Sequence, residues 1–264
     1  MISIQRLLNK RINVKLVTSC ALSLALIVTP AALADYVAGD QKPVPPDRRS
    51  DGGTTRGMTR GCSGGGMPLT VLASRNYVGR TISSHPTFAW FVPGDSVSKP
   101  MQFTIYEWVP GGNAKEVRKI SLQSSPGIMK LSPFSENEQG LQPGKEYSWQ
   151  VVIHCDPDNA SGDLWSRASI EVVEMPPAVQ SKLNKAVNSA EKANIYAEAG
   201  LWYNALDEAL KLAQASKLGE VGSTLLNDLA QLEAPGTTPE LLPKEQDAIA
   251  KHIENLKQIA DSAR

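Results

Sequence analysis

No stretch of this 264-residue chain is apolar for long enough to cross a bilayer. The best candidate, Leu16 to Val28, is shorter than the roughly 18 to 20 residues a span needs and is broken by Thr18, Ser19 and Ser23. A surplus of charge is also missing. The 27 Lys and Arg are matched by 27 Asp and Glu, and the basic residues are scattered, which argues against a phosphate-tracking surface and against nucleic acid as a partner. Cysteine is scarce, three in all, with no C-x-x-C or H-x-x-x-H spacing, so a zinc site is not encoded. No catalytic constellation and no cofactor motif is visible, and the chain reads as a non-enzyme.

What is present begins with an export signal over residues 1–34. Lys10, Arg11 and Lys15 form its basic start, Leu16 to Val28 its apolar centre, and Ala32-Leu33-Ala34 the small-x-small pattern before Asp35. Val17-Thr18-Ser19-Cys20 has the outline of a lipidation signal. A lipobox closes the apolar segment, however, and here Ala21 to Val28 follows the cysteine. The expectation is a periplasmic or secreted protein with no membrane anchor once the signal is removed. All four charges in the signal (Arg6, Lys10, Arg11, Lys15) are basic, so the remainder carries four more acidic than basic residues. Loss of Cys20 leaves Cys62 and Cys155, an even pair in an oxidising compartment and the setting for one disulfide.

Residues 35–66 are rich in Pro, Gly, Arg and Asp without apolar periodicity and read as a flexible arm. Residues 67–175 read as a β-sandwich domain. Leu69, Val71 and Ala73 alternate, Phe88 and Trp90 share a face, and Met101, Phe103 and Ile105 repeat the period with Thr104 and Tyr106 opposite. The clearest strand is Tyr147-x-Trp149-x-Val151-x-Ile153-x-Cys155, with Ser148, Gln150 and His154 pointing the other way, and a last strand carries Ala168, Ile170 and Val172. Leu141-x-Pro143-Gly144-x-x-Tyr147-x-Trp149 and Pro86-Thr87-Phe88-Ala89-Trp90 resemble stretches of fibronectin type III domains, which implies an antiparallel Ig-like sandwich and says nothing of activity.

After Pro176 and Pro177 the period becomes helical, and residues 176–264 read as a helical module, making the whole α+β. Val179, Leu183, Ala186, Ala190, Ala193 and Ala197 form one stripe, and Trp202, Ala205, Ala209 and Ala213 a second. Further helices are expected over Thr224 to Leu232 and Pro243 to Ser262. Tyr196-x-x-x-Gly200-x-x-x-x-Ala205 resembles the centre of a tetratricopeptide repeat. One such hairpin cannot bury its own face, so it must lean on the sandwich, on the later helices or on a partner; Tyr196, Trp202 and Tyr203 are the candidate contacts for a protein partner.

Other candidates compete with plainer readings. Gly61-Cys62-Ser63-Gly64-Gly65 matches G-x-S-x-G with His252 downstream, but no strand precedes Ser63 to make a nucleophile elbow. The loop Asp156 to Asp163 gathers oxygen ligands, Asp156, Asp158 and Asp163 among them, that suit a hard cation such as calcium; Pro157 and the absence of a bidentate Glu favour an ordinary polar loop. Asn159-Ala160-Ser161 is a glycosylation sequon. His85 and His154 read as hydrogen-bonded structural or surface residues. The alternative to a protein-binding module is a carbohydrate- or calcium-binding sandwich acting through Trp108, His154 and this loop.

Several stretches together resemble a family of exported cyanobacterial proteins known only as a domain of unknown function, number nine-two-eight. They are Thr59 to Cys62, Gly79-x-Thr81-x-Ser83-x-His85-Pro86-Thr87-Phe88, Ser125-Pro126-Gly127-Ile128, Tyr147-x-Trp149, Cys155-Asp156-Pro157 and, most specific, Tyr196-Ala197-Glu198-Ala199-Gly200-Leu201-Trp202-Tyr203-x-Ala205-Leu206. The resemblance implies architecture and export, and no activity. The overall expectation is a non-enzymatic envelope protein that binds or assembles with a protein partner.

A shared Cys62–Cys155 bond predicts a particular mutational pattern. Cys62→Ser and Cys155→Ser should each lower thermal stability by a similar amount, up to about 4 to 5 kcal/mol for so long a loop. The double variant should be no worse than either single one, because the first substitution removes what the second could. Intact-mass measurement finding two free thiols in the native protein would refute the bond.

Overall fold

The computed structural model describes residues 36–37, 42–45, 62, 66–94, 98–109, 114–156, 158, 162–233 and 243–264. The export signal, Asp35, most of the arm including Ser63, and the Asn159 to Ser161 sequon lie outside the described residues. Eight strands come first: β1 (Thr70–Val71), β2 (Gly79–Thr81), β3 (Phe88–Val92), β4 (Pro100–Trp108), β5 (Ala114–Gln123), β6 (Gly127–Leu131), β7 (Glu146–Ile153) and β8 (Leu164–Val172). Five helices follow: α1 (Pro177–Leu183), α2 (Ser189–Glu198), α3 (Trp202–Leu212), α4 (Gly219–Leu232) and α5 (Pro243–Ser262). The fold is α+β, and the turn from strands to helices falls inside one compact unit, Leu33–Arg264.

The strands form a three-stranded sheet, β1-β3-β6, and a five-stranded sheet, β2-β8-β7-β4-β5. Every pair is antiparallel except β2 with β8. Period-2 alternation determines what meets between the sheets. Met101, Phe103 and Ile105 of β4 and Tyr147, Trp149, Val151 and Ile153 of β7 are all buried. Phe88 lies 5.2 Å from Phe103 and 5.0 Å from Trp149 by ring centroid, in the tilted arrangements aromatic quadrupoles prefer. β3 is buried at all five positions, as expected of a strand covered on both faces. β5, by contrast, is exposed at alternate or successive positions along its whole length and lies at the sheet edge.

The helical stripe beginning at Val179 does not run through one helix. The chain breaks at Asn184, and Asn188 caps α2 by accepting a hydrogen bond at Oδ1 from the Glu191 backbone N–H at 2.9 Å, while the Glu191 carboxylate accepts from Val187 N at 3.0 Å. This resembles a capping box with the carboxylate reaching the residue before the N-cap in place of the N-cap itself, and its stabilisation of a fresh helix start outweighs continuity of the apolar stripe. At the other end of α2, Gly200 sits one residue past the cap at φ +69°, a left-handed conformation in which a Cβ is costly. It turns the chain into α3, and α2 and α3 form the expected hairpin.

That hairpin is built into the sandwich. Tyr203 reaches the aromatic core, where its hydroxyl accepts from Trp149 Nε1 at 2.7 Å and donates to the Ser169 carbonyl at 3.0 Å. Burial drives its phenol well above the ordinary tyrosine range. Next to it, Trp202 Nε1 donates to the Leu72 carbonyl at 2.9 Å, and Asn204 Oδ1 accepts from Thr81 Oγ1 and Ile82 N, both at 3.0 Å. The approach is close enough that a Cβ on Gly79 would stand 2.7 Å from the Tyr203 ring.

A second joint ties α4 and α5 to the segment leaving β1. Glu233, at the end of α4, is 1% exposed and gathers the segment's donors on Oε1: Ser74 Oγ, Arg75 N at 2.6 Å and Asn76 N at 3.2 Å. Burial pushes its carboxyl up, and these hydrogen bonds with the Arg75 charge pull it back. His252 of α5 lies beside it, 3.7 Å from Oε2, with Nε2 3.1 Å from the Ala73 carbonyl. Burial, reinforced by the Arg75 charge, lowers the imidazole to about 3, so His252 is neutral and donates to Ala73.

Three tests follow from these features. Tyr203→Phe strands the Trp149 N–H and the Ser169 carbonyl in the core and should cost about 1 to 3 kcal/mol. Gly200→Val should cost a similar amount, about 1 to 3 kcal/mol, through backbone strain. Each should shift one common transition seen by tryptophan fluorescence and far-UV circular dichroism; helices melting ahead of the fluorescence change would show that they do not share a cooperative core. The His252 test uses pH. The unfolded imidazole takes up a proton near 6.5 but the folded one only near 3, so this group's contribution is complete above 6.5 and is lost as pH falls below it. Glu233 acts with the opposite sign, so the comparison is made against His252→Gln. The stability advantage of the wild type should shrink below pH 6.5 by at most about 1.4 kcal/mol per unit; a constant difference between pH 7.5 and 4.5 would contradict the assignment.

Candidate functional site

The same alternation that buries one side of β4, β7 and β8 turns the other side outward and arranges it as a grid. Across β8, β7, β4 and β5, one row reads Ser169, Ser148, Tyr106, Glu116, the next Arg167, Gln150, Thr104, Lys119, and the third Trp165, Val152, Gln102, Ser121. Trp108 continues the phase at the end of β4. Small residues (Ser148, Ser169, Thr104) lie buried at the centre, and larger half-buried ones stand around them. Gln150 links the grid: its Nε2 donates to Tyr106 Oη at 3.4 Å, and its Oε1 accepts from Arg167 Nη2 at 3.1 Å.

Arg167 is the chemically conspicuous member. Its guanidinium lies 5.7 Å from the Trp165 ring centroid, a cation–π contact. Burial lowers its pKa from the ordinary arginine value, with Tyr106 opposing the shift. Its Nε is buried without a hydrogen-bond partner, and among the described residues it has no carboxylate beside it. A partly desolvated cation of this kind, set among aromatic rings and amides, suits an anionic group brought in from outside.

A separate, concave feature is a cleft of about 500 Å³ between β5 and the loop that follows β6. Its charges are largely matched internally. Lys145 pairs with Glu107 at 2.7 Å, and Arg118 grips Glu138 through two nitrogens at 2.9 and 3.2 Å while lying 5.6 Å from the Phe134 centroid. Hydrogen bonds from the backbone and hydroxyl of Ser135, then Arg118, hold the Glu138 carboxyl below its ordinary value. The cleft is a polar surface fold closed by its own ion pairs.

The residues singled out from sequence take varied places. Cys62 and Cys155 are bonded, with Cα atoms 5.4 Å apart. Trp202 and Tyr203, expected at a partner surface, are each 1% exposed and are spent inside as described, and Tyr196 is half-buried against the core. The apolar area of Trp202 and Tyr203 is what fastens the hairpin, so for these two the expected partner surface is corrected to an internal one. His252 is sealed in the joint. Ser74, Glu233 and His252 have the composition of a hydrolytic triad, but Ser74 bonds the acid and not the imidazole, and all three are buried, the wrong order for activating a serine.

His85 is held by Ser84 Oγ at 2.8 Å and the Glu138 carbonyl at 2.9 Å. Of the candidate cation ligands, Asp163 is committed to His154 Nδ1 at 2.7 Å and Cys155 N at 3.1 Å, and Asp156 accepts from Asp158 N at 2.9 Å in a local turn. No group of three or more metal-ligating side chains occurs among the described residues. Sequence reading passed over Gln150, Trp165 and Arg167 as members of one surface. The available signal was Trp165-x-Arg167-x-Ser169, the outward phase of a strand recognised by its inward phase, with a tryptophan where a small polar residue would serve.

Comparison with known proteins adds the family. No curated protein matches the chain. Among solved structures, the third fibronectin III domain of human KIAA0343 protein aligns over 45% of this chain and 95% of its own, at 14% identity and a TM-score of 0.24, too loose a likeness to carry an argument. The signature of the family described as Domain of Unknown Function (DUF928) matches residues 51–234. That stretch runs from the arm through both sheets to Glu233 and its clamp, and by it the chain belongs to the DUF928 family.

Proposed function

We propose that the protein is an exported, non-enzymatic binding module of the cell envelope. In this reading a fibronectin type III-like sandwich is braced by a tetratricopeptide-like hairpin turned inward, and the outer face of the five-stranded sheet receives the partner. One observation carries it: the distribution of aromatic side chains. Those of the hairpin are consumed in holding the fold together, whereas Tyr106, Trp108 and Trp165 stand half-buried on the outward phase of the sheet with Gln150 and Arg167. The strand connectivity supports the fibronectin-like reading, with β1 at the edge of one sheet and β2 at the edge of the other. Export is supported by the sequence of residues 1–34 and by a disulfide suited to an oxidising compartment. A calcium-binding loop has less support, because Asp163 and Asp156 already serve neighbouring groups.

Cell fractionation with N-terminal sequencing should find a mature protein that begins at Asp35, outside the cytoplasm. The purified mature protein should sediment with isolated envelope fragments, and Tyr106→Ala together with Trp108→Ala should weaken that association about tenfold while the protein stays folded by far-UV circular dichroism. Retention in the cytoplasm, or sedimentation indifferent to both substitutions, overturns the reading.

A further inference from the structure

The sheet face has a chemistry specific enough to name its ligand class. Arg167, its Nε buried so that a ligand would meet its terminal nitrogens, is a cation with no acid beside it among the described residues. It does not wander, because Gln150 holds one of its nitrogens at 3.1 Å and the Trp165 ring lies against it at 5.7 Å. A guanidinium so restrained loses little further freedom on meeting a carboxylate, and partial desolvation strengthens the pairing. The acids near this face lie elsewhere. Glu171 and Glu146 are taken by Lys42 at 2.7 and 3.1 Å, and Glu116 stands two strands beyond Ser148, in the row next to that of Arg167. Lys119, in the row of Arg167, adds positive charge at the β5 side.

The rest of the grid selects the carrier of that carboxylate. From Trp165 to Tyr106 the face extends two strand spacings across and four residues along, about 16 Å, and Trp108 prolongs it. Aromatic rings on such an open face offer stacking to the C–H faces of sugar rings, and Gln150, Gln102 and Ser121 offer hydrogen bonds to hydroxyls. A peptide strand would instead seek a sheet edge, where backbone groups are free; this face is in the middle of the sheet.

Resting on the binding role proposed above, we propose that the outer face of the β8-β7-β4 layer binds a carboxylate-bearing polysaccharide, Arg167 pairing with the carboxylate and Tyr106 and Trp108 stacking on sugar rings. The ligand is thereby an acidic, uronate-type polymer of the kind found in envelope and extracellular matrices.

Calorimetric titration of the mature protein with polygalacturonate, with the same polymer after carboxyl reduction, and with polyglutamate tests this. Binding should be seen with polygalacturonate, fall about tenfold or more on carboxyl reduction, and be weaker with polyglutamate, which has charge but no sugar. Arg167→Gln should reproduce the loss seen on carboxyl reduction and abolish the preference between the two polysaccharides, and Arg167→Lys should keep part of it. Should Arg167→Gln unfold the sheet, Tyr106→Ala and the reduced polymer still decide the matter. Equal affinity for native and reduced polymer removes the role of Arg167, and equal affinity for polyglutamate removes the sugar. No binding to polygalacturonate, with envelope sedimentation intact, defeats the ligand assignment while the binding role stands; loss of both defeats the role itself.

Discussion

The hydroxyl of Tyr203 is the constraint on which the arrangement of this protein turns. It satisfies two groups that the sandwich cannot pair by itself, the indole N–H of Trp149 and the carbonyl of Ser169, and it can do so only if α3 lies against β2 closely enough that Gly79 has no side chain. An unpaired buried donor or acceptor costs more than a made hydrogen bond returns. The sheets are therefore incomplete without the helix, and the helix has no use for its aromatic residues apart from the sheets. The left-handed Gly200 belongs to the same device, since it sets the direction in which α3 starts.

The clamp at Glu233 repeats that logic at the other end of the helical layer. One carboxylate oxygen collects the Ser74 hydroxyl and the backbone N–H groups of Arg75 and Asn76, which a segment between two sheets leaves without ladder partners. With His252 returning a hydrogen bond to Ala73, α4 and α5 complete the hydrogen bonding of the strand segment between β1 and β2. Polar groups that in another setting would suggest catalysis are here the means by which a layer of helices is fixed to a sandwich.

One large surface is not used by this bracing. The five-stranded sheet has its inner face in the core, and its outer face holds a lattice of small residues ringed by Tyr106, Gln150, Trp165 and Arg167. Rigid strands position these groups better than a loop would, because their spacing is set by the sheet and not by loop entropy. The neighbouring cleft marks the contrast: there Lys145 pairs with Glu107 and Arg118 with Glu138, whereas among the described residues no carboxylate stands beside Arg167.

Strand phase was legible from sequence because period-2 burial depends on local alternation alone: β4, β7 and β8 lie where Met101 to Ile105, Tyr147 to Ile153 and Ala168 to Val172 indicate. Pro243 to Ser262 was equally plain as a helix, and Gly200 as the turn between two others. The break at Asn184 escaped, because the Asn188 and Glu191 cap competes with an alanine stripe on nearly equal local terms. β5 escaped because an edge strand exposed along its length carries no apolar alternation. What sequence by itself determined was the class of the strongly periodic elements, β4, β7 and β8 and the helices that follow Pro177. Only tertiary structure decided that Trp202 and Tyr203 face inward and that Arg167 stands beside Gln150 and Trp165, because those facts depend on which strands and helices become neighbours, and partners far apart in the chain leave no periodic trace along it.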